Sequence, residues 1–181
     1  MLGAVLVGGK SRRMGRDKAL IEIDGAPLVE RVARVLAAAG CARVVAIGPP
    51  ESSGRVTQVD DLAPGAGPLG GILTALSLAT PAIVVACDLP RLDVDTVNAL
   101  DDAAAAAVAA GRQVDAVMAR SDRPEPLCAM WFGRSGEHLQ RRFDDGERAV
   151  HRAIVGLDVI FVDVSAAVLH NVNRPEDLWN G

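Results

Sequence analysis

No tyrosine occurs anywhere in this 181-residue chain, and aromatic residues make up only 3% of it, so valine, leucine, isoleucine and alanine must fill any core. Cysteine is scarce and odd in number. Cys41, Cys87 and Cys128 show no Cys-x-x-Cys spacing, which argues against a zinc or disulfide framework and for reduced interior thiols of a cytoplasmic protein. No uninterrupted apolar run approaches the roughly 18 residues of a membrane span. Excess positive charge is lacking too: 19 Lys and Arg stand against 23 Asp and Glu, a net charge of −4, without the basic face that general nucleic-acid binding wants. The first strand, expected to begin at Leu2, would leave no room for a signal peptide. What is present is a half-hydrophobic chain of one-domain length, expected to bury a proper core as a single unit over 1–181.

Strand-like and helix-like patterns alternate along it. Gly3–Val7, Arg43–Ile47 and Ala82–Ala86 are too uniformly apolar to have a wet face and read as buried strands. Ala19–Ile23 reads as a short strand stopped by the Asp24-Gly25 turn, and Val56–Val59 as an edge strand. Pro27 opens a helix to about Ala39, with Leu28, Val32, Val35 and Leu36 on one stripe, and Gly40 ends it. Leu69–Ala79 and the alanine-rich Asp93–Ala110 read as further helices, with Asp93 and Asp95 as caps and Gly111 as the stop. Val114–Met118, Leu127–Phe132 and Val159–Val162 complete the strands. One polar helical stretch is expected from Arg134 to about Val155, and a short helix over Pro175–Trp179. The alternation predicts a three-layer α/β/α domain around a mainly parallel, Rossmann-like sheet.

The chemistry concentrates where the first strand ends. Leu-Val-Gly-Gly-Lys-Ser-Arg-Arg-Met-Gly-Arg-Asp-Lys (6–18) breaks from an apolar run into Gly8-Gly9 and then carries Lys10, Arg12, Arg13, Arg16 and Lys18. Paired glycines let backbone N–H groups approach an anion closely, and five cations exceed what a solvated turn needs. A nucleotide polyphosphate is the natural occupant. The loop is not a Walker A motif, because Ala4 stands where that motif needs glycine, and a Gly-x-Gly-x-x-Gly fingerprint is missing. Ligands of open parallel sheets lie beyond the carboxyl ends of the strands. Gly8-Gly9, Gly48, Asp60-Asp61 and Asp88 all fall at such ends. In Val-Val-Ala-Cys-Asp-Leu-Pro, Asp88 offers a carboxylate as the backbone leaves the sheet, suited to Mg²⁺ on phosphate oxygens or, more simply, to capping a turn. Asp60-Asp61 suits a ligand or a solvated turn. His138, His151 and His170 lack ligand spacing and read as surface or packing residues.

Four blocks in order resemble the molybdenum cofactor guanylyltransferases, which are similar in fold to the nucleotidyltransferases acting on sugar phosphates and isoprenoid precursors. The first is the 6–18 loop. Asp60 with Pro64-Gly65-Ala66-Gly67-Pro68-Leu69-Gly70-Gly71 is the second, Cys87-Asp88-Leu89-Pro90 the third, and Asn171-Val172-Asn173-Arg174-Pro175-Glu176-Asp177-Leu178 the last. Val7 and Gly70 replace the family's usual alanines, Arg174 its common threonine, and Ile47-Gly48 stands where some members have an asparagine facing the base.

The resemblance implies transfer of GMP from GTP to the terminal phosphate of molybdopterin, with release of pyrophosphate and dependence on Mg²⁺. By the same resemblance, Leu6, Gly8 and Gly9 would cradle the nucleotide through backbone contacts and Lys18 would bind phosphate. Asp60 would contact the nucleotide, Asp88 would hold Mg²⁺, and Asn171 and Asn173 would lie on the molybdopterin side. Arg13, with Lys18 and Asp88, would stabilise charge in the transition state. Molybdoenzymes or other cofactor-biosynthesis proteins are conceivable partners. The spacing itself does not identify the base. A cytidylyltransferase of the same cofactor, an enzyme for another phosphorylated acceptor, and a silent cofactor-handling protein stay open as alternatives.

Overall fold

Three largely apolar segments form the centre of the sheet, where strands covered on both faces belong. β1 (Leu2–Leu6) lies between β4 (Arg43–Ile47) and β6 (Ala82–Ala86), parallel to both, with Leu6 opposite Ile47 on one side and Ala86 on the other. The computed structural model describes residues 1–8 and 17–172. Within them, β5 (Thr57–Val59) pairs with β4 at one edge. Beyond β6 come β8 (Pro124–Trp131), β7 (Ala116–Arg120) and β9 (Val159–Asp163), giving the order β5-β4-β1-β6-β8-β7-β9. β8 runs antiparallel to both its neighbours, while β9 is parallel to β7. The mainly parallel sheet predicted from the alternation is therefore the one observed.

Alternating side chains of this sheet feed two cores. On one face Val5, Val85, Val117 and Met130 pack with α1 (Leu28–Ala38) and α3 (Val94–Ala109), which contribute Val29, Val32, Leu36, Val97 and Leu100. On the other, Ala4, Val45, Val84, Met118 and Trp131 pack with α2 (Pro68–Leu78), α4 (Gly133–Asp144) and α5 (Val150–Ala153). The period of two along each strand assigns each residue to its face. Trp131 is fully buried, so one large aromatic supplies bulk that the aliphatic composition otherwise lacks. The three cysteines are buried and unpaired. Among the described residues no helix is long and apolar enough to cross a membrane.

Three local expectations are corrected. Ala19–Ile23 is not one strand. Its start lies in a 3₁₀ turn, Lys18–Leu20, and its end forms β2 (Glu22–Ile23), a two-residue hairpin with β3 (Ala26–Pro27). Asp17 causes the change, since its side chain caps the turn by accepting from the Ala19 N–H at 3.0 Å. The helix expected over Arg134–Val155 is two helices, α4 and α5, divided at a Gly146 turn. There Glu147 accepts from the N–H groups of Arg148 and Ala149, both at 2.8 Å, and from the Arg152 guanidinium. Asp93 does cap α3 by accepting from the Thr96 N–H at 2.8 Å, but Asp95 lies inside the first turn. The short helix expected over Pro175–Trp179 falls outside the described residues.

Gly48 is the glycine the architecture can least replace. Its φ is +142°, and a Cβ there would stand 2.2 Å from the Val7 carbonyl oxygen, a backbone atom that cannot step aside. Gly48→Ala should destabilise the protein by about 3 kcal/mol through strain and overpacking. For a chain of this size that is a fall in Tm of roughly 6–12 °C. Calorimetry checks it, and an unchanged Tm would contradict the close approach.

Candidate active site

The chain leaves β1 through α1 to β4 on one side, then reaches β6 on the other side through β5 and α2. That reversal opens a crevice between the carboxyl ends of β1 and β6, where α/β sheets bind ligands. The strands hold their ends together just below it. Val7 N–H donates to the Ile47 carbonyl at 3.0 Å, Cys87 N–H to the Leu6 carbonyl at 3.1 Å, and Gly48 N–H to the Val59 carbonyl at 3.1 Å. Leu6 turns its side chain under α2, against the bare Cα of Gly71, so only its backbone faces the strand ends. Gly8 (φ +89°) is exposed and stands against Pro49, turning the chain into the basic loop. Gly9 and Arg13 lie outside the described residues.

The loop's return limb is anchored twice. Asp17 caps the 3₁₀ turn with one carboxylate oxygen and accepts from the buried Ser52 hydroxyl with the other. This brings Lys18 across the crevice, where its Nζ meets Asp88 Oδ2 at 2.5 Å, with side chains only 11% and 21% exposed. Two residues 70 apart in sequence thus share one charged contact. The Asp88 carbonyl in turn accepts from the Val172 N–H at 3.0 Å, so the C-terminal segment is tied to the same turn.

Asp88 Oδ1 is buried with no hydrogen-bond partner among the described residues. A carboxylate oxygen withdrawn from water without a donor is costly. A hard divalent cation, held by one carboxylate with phosphate and water oxygens, would complete it. The residues therefore fit such an ion. Among the described residues no cluster of three or more His, Cys, Asp or Glu could hold a metal unaided. His138 is a packing residue, its Nε2 2.9 Å from the Ala153 carbonyl.

The two neighbouring aspartates have separate tasks. Asp61 Oδ1 accepts from the Ala63 N–H at 3.0 Å and from the Thr74 hydroxyl at 3.1 Å, bracing the loop before α2. Asp60 is exposed at the end of β5, touched by Gln58 Nε2 at 2.8 Å, whose amide also donates to the Gly48 carbonyl. Asn171 is partly buried, one residue before Val172, whose N–H is held by the Asp88 carbonyl. Asn173 lies outside the described residues. The sequence reasoning missed Asp17, Ser52 and Gln58. Asp17 lies within the loop motif and could have been found as a turn cap. The other two carry no local signal.

Fold and crevice together define a nucleotide-binding α/β protein of the nucleotidyltransferase class. The chain belongs to the MobA-like NTP transferase family, whose model matches residues 3–158. The probable molybdenum cofactor guanylyltransferase of Opitutus terrae is 35% identical to it, over 98% of this chain and 92% of that one. The molybdenum cofactor guanylyltransferase of Rhodobacter capsulatus is 33% identical, over 97% and 92%. Among solved structures, the molybdopterin-guanine dinucleotide biosynthesis protein A of Archaeoglobus fulgidus superposes with a TM-score of 0.80 at 27% identity, covering 99% of this chain and 95% of that one. The 2-C-methyl-D-erythritol 4-phosphate cytidylyltransferase of Thermus thermophilus, at 17% identity and a TM-score of 0.68, shares the fold.

Burial pushes the thiols of Cys87 and Cys128 up to about 12, with the negative charge of Asp88 adding to the effect at Cys87 and that of Glu125 at Cys128. At pH 8 roughly one part in ten thousand of each would be thiolate, the reactive form. A thiol reagent at that pH should leave both unmodified in the native protein and label all three cysteines in guanidinium. Rapid native labelling of Cys87, read by peptide mass spectrometry, would contradict the closed strand end.

Proposed function

We propose that the protein transfers GMP from GTP to the terminal phosphate of molybdopterin, Mg²⁺-dependently and in the cytoplasm, with residues 1–181 acting as one nucleotidyltransferase domain. The observation that carries the site assignment is the Lys18–Asp88 contact beside an Asp88 oxygen that has no hydrogen-bond partner among the described residues. It gives one crevice both a cation for phosphate and an anion for a metal. The guanine and molybdopterin specificities rest on the relatives' names and on the ordered sequence blocks.

The reaction forms a bond between a molybdopterin phosphate oxygen and the α-phosphorus of GTP. It breaks the bond from that phosphorus to pyrophosphate, which leaves with the electron pair. No dedicated general base is required, because a phosphate monoester with a second pKa near 6 is largely ionised at neutral pH. The barrier lies in bringing two anions together and in stabilising charge that spreads over the phosphoryl group and leaving group.

Gly8 and Gly9, with the Leu6 backbone, cradle the triphosphate. Lys18 and Arg13 counter its charge, and Asp60, steadied by Gln58, contacts the nucleotide. Asp88 would hold Mg²⁺, and the bound ion would supply neutralisation of phosphate charge. Asn171 and Asn173 are assigned to the molybdopterin side on the strength of the C-terminal sequence block. The fixed anchoring of Lys18 through Asp17 and Ser52 makes its stabilisation preorganised, which is the condition under which one such group matters most.

Lys18→Ala and Asp88→Ala should each lower turnover by roughly a hundredfold or more with the fold retained. Mass spectrometry after incubation with Mg-GTP and molybdopterin should detect the guanine dinucleotide. Formation of only the cytosine form, when CTP is offered, would reverse the choice of base. Near-normal GMP transfer by a folded Asp88→Ala protein would discard the metal assignment.

A further inference from the structure

β5 is an edge strand of the sheet, and its middle residue is polar. Gln58 pairs opposite Ala46 on β4, which places it on the sheet face that Ala46 turns toward α1. Asp60 follows two residues later, just past the strand end. The Gln58 amide nitrogen makes two bonds there. It donates to the Gly48 carbonyl at 2.9 Å and to Asp60 Oδ1 at 2.8 Å. A carbonyl and a carboxylate can only accept, so the amide has one permitted orientation, with its NH₂ toward them and its oxygen away. Both of its protons are thereby spent. Among the described residues no donor meets Gln58 Oε1, and none but Gln58 meets the Asp60 carboxylate.

These side chains present oxygens and withhold protons, and the nucleotide bases differ most in that respect. The pairing edge of guanine carries two adjacent donors, N1–H and the 2-amino group. Cytosine sets one amino group beside two acceptors, adenine one beside a single acceptor, and uracil a lone N–H between two carbonyls. Two neighbouring acceptors with no proton to give suit guanine and leave lone pair against lone pair with the other bases. The sheet also sets this pair at a fitting distance from the carboxylate assigned to the metal. Asp88 follows β6 and Asp60 follows β5, three strand intervals apart in the order β5-β4-β1-β6, or roughly 14 Å across. That is comparable to the reach of an extended nucleotide from a metal-bound phosphate to the far edge of a purine.

We propose that Gln58 is a specificity-determining residue for the nucleotide base: locked by Gly48 and Asp60, its carbonyl oxygen joins the Asp60 carboxylate in accepting from the N1–H and 2-amino groups of guanine. This inference rests on the guanylyl-transfer reading and deepens it, because the choice of base then follows from contacts within this chain. Gln58 is more than a brace for Asp60 in this scheme. Its removal takes away an acceptor as well as a support.

The test is nucleotide binding by the full chain in Mg²⁺, measured by calorimetry. The probes are GTP, CTP, inosine triphosphate, which lacks the 2-amino group, and 2-aminopurine riboside triphosphate, which lacks the N1–H. The parent chain should bind each analogue about tenfold or more weakly than GTP, the scale of one unmade hydrogen bond. In Gln58→Leu, a change of similar volume, the penalty should shrink about tenfold for the analogue missing the donor that Gln58 takes, and persist for the other, whose missing donor Asp60 takes. Affinity for CTP should stay within about twofold of the parent, because the triphosphate contacts are untouched. Penalties that both vanish in Gln58→Leu would reduce Gln58 to a brace for Asp60, and penalties that both persist would remove it from the base site. Either result overturns the inference. So does a parent chain that binds both analogues as tightly as GTP, a result that requires no variant to fold. If that chain still makes the guanine dinucleotide from Mg-GTP and molybdopterin, the guanylyl-transfer reading survives the loss. Formation of only the cytosine dinucleotide defeats the reading itself and this inference with it.

Discussion

The site depends on a single charged contact, between an ammonium on a capped turn and a carboxylate at a strand end. Lys18 and Asp88 are each mostly withdrawn from water, where an uncompensated charge would be costly, and each supplies the other with an opposite charge. Much of the surrounding structure holds this pair in register. Asp17 and Ser52 hold the lysine's turn, while β6 and the Val172 N–H hold the aspartate's. An exposed ion pair would contribute little and wander. A partly buried one, fixed from both ends, presents charge in a defined place before any ligand arrives, which is the property a charge-stabilising catalyst requires.

The sheet explains why these groups meet at all. Three parallel β-branched strands with both faces covered must be connected by helices, and right-handed crossovers then deliver every strand end to one edge. The order reversal at β1 leaves that edge open between β1 and β6. Small residues complete the geometry. Gly48 lets the β4 end touch the Val7 carbonyl, and Gly71 lets α2 settle on Leu6. Substituting either would push apart the walls on which the loop and Asp88 are mounted.

Much of this could be read from the residues. Ala82–Ala86 and Arg43–Ile47 appear with the bounds their apolar runs imply, because a strand buried on both faces has no competing pattern. Lys18–Leu20 misled, since Ala-Leu-Ile-Glu-Ile alternates much like a strand. The deciding interactions there are the Asp17 cap and the burial of Ala19, and only the first is local. The α4–α5 break at Gly146 is fixed by Glu147 reaching Arg152, a contact that helical periodicity does not register. In the site, Asp88 was visible because it ends an apolar strand before a proline. The duties of Asp60 and Asp61 were not separable, because they differ only in which neighbour, Gln58 or Thr74, each one meets.

The reversed direction of β8 has a consequence for how such proteins diversify. Every other strand of the sheet arrives at the ligand-bearing edge by its tail, whereas β8 arrives by its head, carried on a connection from β7 that owes nothing to the first half of the chain. Two stretches of polypeptide with separate ancestry of constraint therefore abut at Asp88. Changes around 120–127 can remodel one wall of the cleft without disturbing the helical crossovers that shape the other.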